Sequence, residues 1–227
     1  MTLGSIDIHN HLLPGVDDGF GNKTSSLEAI RRMASAGCRE IVFTPHMNPD
    51  VYPDNNEEKM KEVYGTFVQE IPAEWGVKTH LAAEYMVVND FEKRLENPDS
   101  LLYQPDGSLL IEMSYMFRSR NLETVIFNLQ MQGITPVLAH PERYTYLAAK
   151  LQTFDKYRDM GCRFQMNRRS LSGCYGADSM KILRYIYKKG WYDHIATDLH
   201  SLAQLDSILG MKEPEKYLKR GLFGLFG

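Results

Sequence analysis

The chain has 227 residues, 43% of them hydrophobic, enough for one large core, and a formal net charge of −3. That balance gives no basic footprint for nucleic acid, and no run of about 18 apolar residues marks a membrane span. Three cysteines without framework spacing argue against a disulfide-built fold and, with no leader-like N-terminus, point to the cytoplasm.

An apolar, strand-like start runs into Asp7-Ile8-His9-Asn10-His11, followed by Leu12-Leu13-Pro14-Gly15-Val16-Asp17-Asp18-Gly19. On an extended backbone His9 and His11 leave from the same face, with Asp7 pointing the same way, so the two imidazoles can share or bridge ions. Ser25 with Glu28 three residues on suggests a capping box for a helix over 25–36, with Leu27, Ile30, Met33 and Ala34 on its apolar face. Ile41–Thr44 reads as a buried strand ending at Pro45-His46, and 57–71 as an amphipathic helix through Met60, Val63, Tyr64 and Phe67. The alternation continues with a strand from Val77 to Glu84, a helix near 88–95 and a strand from Leu109 to Ser114. A helix near 121–132 and a strand from Thr135 to Ala139 follow. After them come a helix near 151–160, a strand over Cys162–Asn167, a helix near 177–189, a strand over His194–Asp198 and a last amphipathic piece. A hairpin pairing Leu101–Tyr103 with Leu109–Ile111 is expected at Pro105-Asp106-Gly107. Seven strand–helix units predict an α/β fold with a mainly parallel sheet, in one domain over 1–227 with a tail from about 212.

The polar residues fall on this map in one register. His9, His46, Glu84, Glu112, His140, Asn167 and the pair Asp198 and His200 each lie at or just beyond the carboxyl end of a strand. In a closed β/α barrel those ends converge on one face, whereas a doubly wound sheet uses only a few of them, so a distorted seven-unit barrel is expected. Five of the seven histidines belong to this set; His80 and His194 remain as ordinary structural or surface histidines. Imidazole and carboxylate donors without thiolate suit manganese, iron or zinc, and their number suits two or three ions rather than one. Such a cluster activates water and neutralises oxygens on phosphorus, which predicts phosphate-ester hydrolysis, with Arg143 as a planar fork for the anion. Cys162 and Arg168 match the Cys-x5-Arg spacing of thiolate phosphatases, but the stretch between them is strand-like and glycine-free and cannot curl round a phosphate.

These motifs, with Thr44-Pro45-His46, Ala83-Glu84, Ile111-Glu112-Met113-Ser114, His140-Pro141-Glu142-Arg143-Tyr144, Asn167-Arg168-Arg169-Ser170-Leu171-Ser172-Gly173 and Thr197-Asp198-Leu199-His200, run from about residue 6 to 209. Together they resemble the bacterial protein-tyrosine phosphatases of the polymerase-and-histidinol-phosphatase (PHP) superfamily that accompany capsule and exopolysaccharide loci. The resemblance implies a TIM-like PHP barrel and three divalent ions, manganese first and iron or zinc as alternatives. It implies as ligands His9, His11, Asp18, His46, Glu84, Glu112, His140, Asp198 and His200, with Asp7 behind them orienting an imidazole. Arg143, Asp198 and His200 are then catalytic, Arg143 also binding substrate, and metal-bound hydroxide attacks phosphorus directly. The implied partner is the phosphotyrosine tail of a bacterial tyrosine kinase that controls polysaccharide export. Members often carry another basic residue after the last histidine, where this chain has Ser201-Leu202-Ala203-Gln204-Leu205; Arg118, Arg120, Arg168 and Arg169 are the substitutes to consider. Two alternative readings are a small-molecule phosphatase of the histidinol-phosphate kind and a silent regulatory barrel.

Overall fold

The computed structural model describes residues 3–88 and 91–211, so the C-terminal tail from about 212 and the start of the helix expected near 88–95 lie outside the described residues. In chain order the elements are β1 (Ile6–Asp7), α1 (Lys23–Ser35), β2 (Glu40–Phe43), β3 (His46–Met47), α2 (Glu57–Phe67), β4 (Lys78–Leu81), β5 (Glu84–Met86), α3 (Phe91–Arg94), β6 (Leu109–Glu112), α4 (Leu122–Met131), β7 (Pro136–Ala139), α5 (Gln152–Asp159), β8 (Arg163–Asn167), α6 (Gly176–Lys188), β9 (Tyr192–Ala196) and α7 (Leu202–Gly210). The described residues gather into two compact units, one drawn from 3–83 and 196–211, the other from 84–88 and 91–195.

In the first unit β1, β2 and β4 form a parallel sheet, with Asp7 opposite Ile41 and Val42 opposite His80. Ile41, Val42 and Phe43 are fully buried, and the α1 side chains Ala29, Ile30 and Met33, spaced for one helix face, are buried with them. Phe67 of α2 meets Phe43 edge to face at 6.0 Å between ring centroids. The cap of α1 differs from expectation. The helix begins at Lys23, so Asn22 is the capping residue and accepts from the Ser25 amide at 3.0 Å, while Glu28 binds Arg31 instead. The helix expected over 57–71 ends at Phe67 and tightens into a 3-10 turn over Val68–Glu70, because Ile71 precedes a proline and is held extended.

In the second unit the strand order is β5-β6-β7-β8-β9, with the β5–β6, β6–β7 and β7–β8 pairs parallel. Leu122, Val125, Ile126 and Leu129 give α4 a buried face at helical spacing, and Ile182, Leu183 and Ile186 do the same for α6. The expected hairpin is absent: Gly107, at φ 80°, closes a turn to the Gln104 carbonyl, but Leu101–Tyr103 is not a strand. Both edges of β6 are already taken by parallel neighbours.

The class is α/β with parallel sheets, but the described residues give nine strands rather than seven, and neither sheet closes on itself within its unit. The extra strands have a physical origin. The stretch expected as one strand from Val77 to Glu84 breaks at Ala82-Ala83, where β4 ends its pairing with β2 and β5 begins its pairing with β6. Glu84 therefore opens a strand instead of ending one.

Candidate metal centre

Beyond β1 the chain stays extended enough to pair with the segment before α7. The Asp198 amide donates to the His9 carbonyl at 2.8 Å, the His11 amide to the Leu199 carbonyl at 2.9 Å, and Asn10 bridges Leu199 in parallel. This brings two sets of donors in the first unit together. His9 Nε2, His11 Nε2 and Asp198 Oδ1 form a buried triangle with sides of 3.3, 3.4 and 3.5 Å. His11, Asp18, His46 and His200 form a tetrad whose ligand atoms lie within 4.8 Å of one another; Asp18 Oδ1 is 3.3 Å from His46 Nε2 and 3.6 Å from His200 Nε2. Bonds of about 2.1 Å in tetrahedral array put neighbouring ligand atoms ~3.4 Å apart. The triangle and the Asp18 distances match that edge, so these residues fit divalent ions. Asp18 is largely exposed while the triangle is buried, so the tetrad faces solvent.

The electrostatics treat the imidazoles differently. Burial, with His11 close by, pushes His200 down to about 4, so it is neutral at pH 7. For His11, burial and His46 act downward, but the charge and hydrogen bond of Asp17 carry its pKa well above the ordinary value. Asp17 Oδ2 lies 2.9 Å from His11 Nδ1, which leaves Nε2 as the donor that faces Asp198; a cation there competes only with a proton. The hydrogen bond with His46, and then the charges of His200 and His46, hold Asp18 far below the usual carboxylate range despite its partial burial.

The support of these donors is where the sequence reading needs correction. Asp7 orients no ring by a hydrogen bond: its carboxylate accepts from the Thr197 amide and hydroxyl, both at 2.8 Å, and from the Asn10 side chain at 3.0 Å, fixing the strand-end backbone instead. Asp17 takes the role given to Asp7, binding His11, the His46 amide at 3.0 Å and the Gly19 amide at 3.0 Å. A Cβ at position 19 would collide with the His11 carbonyl and Cβ, so only glycine lets the Asp17-Asp18 turn lie against His11. Asn55, which the sequence did not single out, is buried and ties the Val16 carbonyl at 2.9 Å to the His46 carbonyl at 3.0 Å. Asp198 sits at φ 49°, a left-handed conformation rare outside glycine, and is held there by its amide bond to His9.

Within the second unit Glu84, Glu112 and His140 are all buried. His140 Nε2 lies 3.0 Å from Glu84 Oε1, and His140 follows β7 at φ 33°, the other non-glycine residue with positive φ among those described. Its strain is held by a 3-10 turn over Pro141–Arg143 whose Glu142 is buried; Glu142 accepts from the Asn167 amide (2.8 Å), the Ser170 hydroxyl (2.6 Å) and the Tyr192 hydroxyl (3.0 Å). Asn167 thus braces this turn. Arg143 donates to the Tyr115 hydroxyl at 2.7 Å, and its guanidinium lies 4.0 Å from the Tyr115 ring centroid and 4.6 Å from that of Tyr175. The Tyr115 hydroxyl also stands 3.2 Å from His140 Nε2. Neither tyrosine was anticipated, although Tyr115 directly follows the Glu112 motif.

Of the other basic residues, Arg169 lies 5.7 Å from the Tyr175 ring centroid, Arg168 is buried and Arg120 is exposed. Arg118 is committed to the Tyr157 hydroxyl at 3.0 Å and to Glu123. Cys162 is buried, its thiol pushed up to about 12 by burial, which removes the thiolate reading. His80 pairs with Glu40 at 2.8 Å on the β2–β4 sheet.

Parallel α/β architecture with clustered imidazole and carboxylate donors defines a metal-binding hydrolase type of site. The description "Capsular polysaccharide synthesis, CpsB/CapC" matches residues 5–221, and the chain belongs to that family. The tyrosine-protein phosphatase CpsB of Streptococcus pneumoniae is 31% identical over 204 residues, covering 87% of this chain and 83% of that protein. The tyrosine-protein phosphatase YwqE of Bacillus subtilis is 28% identical over 199 residues, 87% of this chain and 78% of that protein. A chain from the crystal structures of these two, described as metal-dependent tyrosine phosphatases, superposes with a TM-score of 0.74 at 25% identity, over 97% of this chain and 93% of that one. The Escherichia coli phosphotriesterase homology protein, at TM-score 0.50 and 15% identity over 98% and 91% of the two chains, shares the fold alone. No helix among the described residues is long and apolar enough to cross a membrane.

Proposed function

We propose that this chain is a metal-dependent protein-tyrosine phosphatase acting in the cytoplasm on the phosphotyrosine tail of a tyrosine kinase of capsular or exopolysaccharide synthesis. The observation that carries the reading is the convergence of donor atoms in the first unit at 3.3 to 3.6 Å from one another, long for hydrogen bonds and close to the edges of a tetrahedral metal shell. The family membership and the tyrosine-protein phosphatase relatives supply the substrate class.

In this reading His9, His11, Asp18, His46, Glu84, Glu112, His140, Asp198 and His200 hold three divalent ions, manganese by preference over iron or zinc. Divalent ions there supply Lewis acidity toward phosphoryl oxygens and lower the pKa of water. The protein's own share is orientation. Asp17 holds one proton of His11 on Nδ1, so Nε2 is the atom that would take a cation in exchange for the second proton, and burial keeps His200 neutral with a lone pair to offer. Arg143, gripped between Tyr115 and Tyr175, presents a cation of fixed direction to the non-bridging oxygens at no further cost in side-chain entropy. A phenol of pKa about 10 leaves far more readily than an alkyl alcohol, so a dedicated proton donor matters less for phosphotyrosine than for phosphoserine.

The test combines elemental analysis with turnover of a phosphotyrosine peptide. Turnover is expected to vanish on chelation, return with manganese and survive iodoacetamide. Activity that outlasts chelation but dies on thiol alkylation would refute the reading.

A further inference from the structure

Among the described residues the exposed large hydrophobics are Val51, Tyr115, Met116, Phe117, Phe127 and Met131, and Tyr115, Met116 and Phe117 form their one consecutive run. Met116 is 83% exposed and Phe117 67%. Side chains of this size gain from leaving water, and an uninterrupted exposed run is a mark of an interaction site.

The run is not slack chain. At its start the Tyr146 hydroxyl donates to the Ser114 carbonyl at 3.0 Å, and the Met116 amide binds the Ser114 hydroxyl at 3.1 Å. At its end Arg118 is fastened to Tyr157 and Glu123, and the Ser119 hydroxyl donates to the Val87 carbonyl at 2.8 Å. Its first residue, Tyr115, is the one that grips Arg143. The run is therefore anchored at both ends, and it presents two apolar side chains one and two residues from a tyrosine in direct contact with the guanidinium.

We propose that Met116 and Phe117 read the residues beside the phosphotyrosine, selecting phosphotyrosine peptides with apolar flanking side chains. The inference rests on the phosphatase reading and on Arg143 receiving the phosphate, since a dianion at Arg143 lays the adjoining peptide alongside residues 115–117 by charge complementarity. An apolar loop that enters lipid keeps a cluster of cations beside it for the headgroups; here Arg118 is engaged by Glu123 and Tyr157, and the exposed Arg120 alone is no such cluster, which favours a peptide over a membrane.

The experiment compares kcat/KM of the manganese-loaded full chain on p-nitrophenyl phosphate, on a phosphotyrosine peptide flanked by leucine and phenylalanine, and on the same peptide flanked by glycine and serine. Wild type is expected to prefer the apolar-flanked peptide over the polar-flanked one by about tenfold, the scale of one buried interface anchor. The double variant Met116→Ser/Phe117→Ser is expected to lose that preference, and Phe117→Ala alone to lose part of it, because both side chains are exposed and their removal leaves no cavity. Equal flank preference in wild type and double variant overturns the inference. So does binding to anionic phosphatidylserine vesicles that needs Met116 and Phe117 while the peptide ratio stays fixed. Absence of turnover on all three substrates would instead overturn the phosphatase reading, and this inference with it.

Discussion

The first unit offers four imidazoles and two carboxylates as donors, in His9, His11, His46, His200, Asp18 and Asp198, whereas the second offers one imidazole and two carboxylates, His140, Glu84 and Glu112, with Arg143 between two tyrosine rings. The imidazoles are crowded: the His11 ring stacks on His200 at 4.0 Å and lies 4.2 Å from His46. Crowding of that kind holds only if the rings are kept in the right orientation, and in the first unit Asp17 holds the His11 ring while Asp7 and Asn55 fix the backbone that carries the donors. In the second unit His140 stands left-handed above the buried Glu142 network. Among the described residues each unit has one non-glycine residue at positive φ, and in each it is a proposed ligand just after a strand. The difference suggests that the first unit governs metal content and the second governs grip on the anion.

The hardest blow to that division comes from His11→Ala, since His11 belongs to both donor sets of the first unit. Metal content, read by elemental analysis after gel filtration, is expected to fall together with turnover to background; full metal content with lost turnover would break the comparison. Next is Arg143→Ala, expected to retain metal and to lose turnover by about 10²–10³-fold, as for loss of one anion-stabilising donor. Arg143→Lys should recover little, because a point charge neither bridges two oxygens nor stacks between Tyr115 and Tyr175. Smaller again is Asp17→Asn, which keeps the shape of the support and loses its charge: metal affinity, titrated by competition with a chelator, is expected to weaken by about 10–100-fold. An unchanged affinity would move the support of His11 elsewhere.

Much of this was readable along the chain because it depends on neighbours. Helix faces such as Leu122, Val125, Ile126 and Leu129 follow from periodicity, and the two-residue spacing of His9 and His11 places their Nε2 atoms 3.3 Å apart. Errors arose where a partner distant in sequence decides the outcome. The break at Ala82-Ala83 reflects a change of strand partner that no local propensity marks, and the hairpin at Gly107 failed because β6 has parallel neighbours on both sides. The cap at Asn22 in place of Ser25 is a lesser miss, one good capping residue winning over another three positions later.

By itself the sequence determined the donor types, the places of Glu112, His140 and Asp198 at or just beyond strand ends and the α/β alternation, since these follow from side-chain chemistry and local period. Tertiary structure alone decided that Asp17 supports while Asp18 faces His46 and His200, that His140 and Asp198 take left-handed backbones, and that Tyr115 and Tyr175 enclose Arg143. Those outcomes depend on groups far apart in the chain meeting at distances of 3 to 5 Å, and no spacing along the sequence encodes such a meeting.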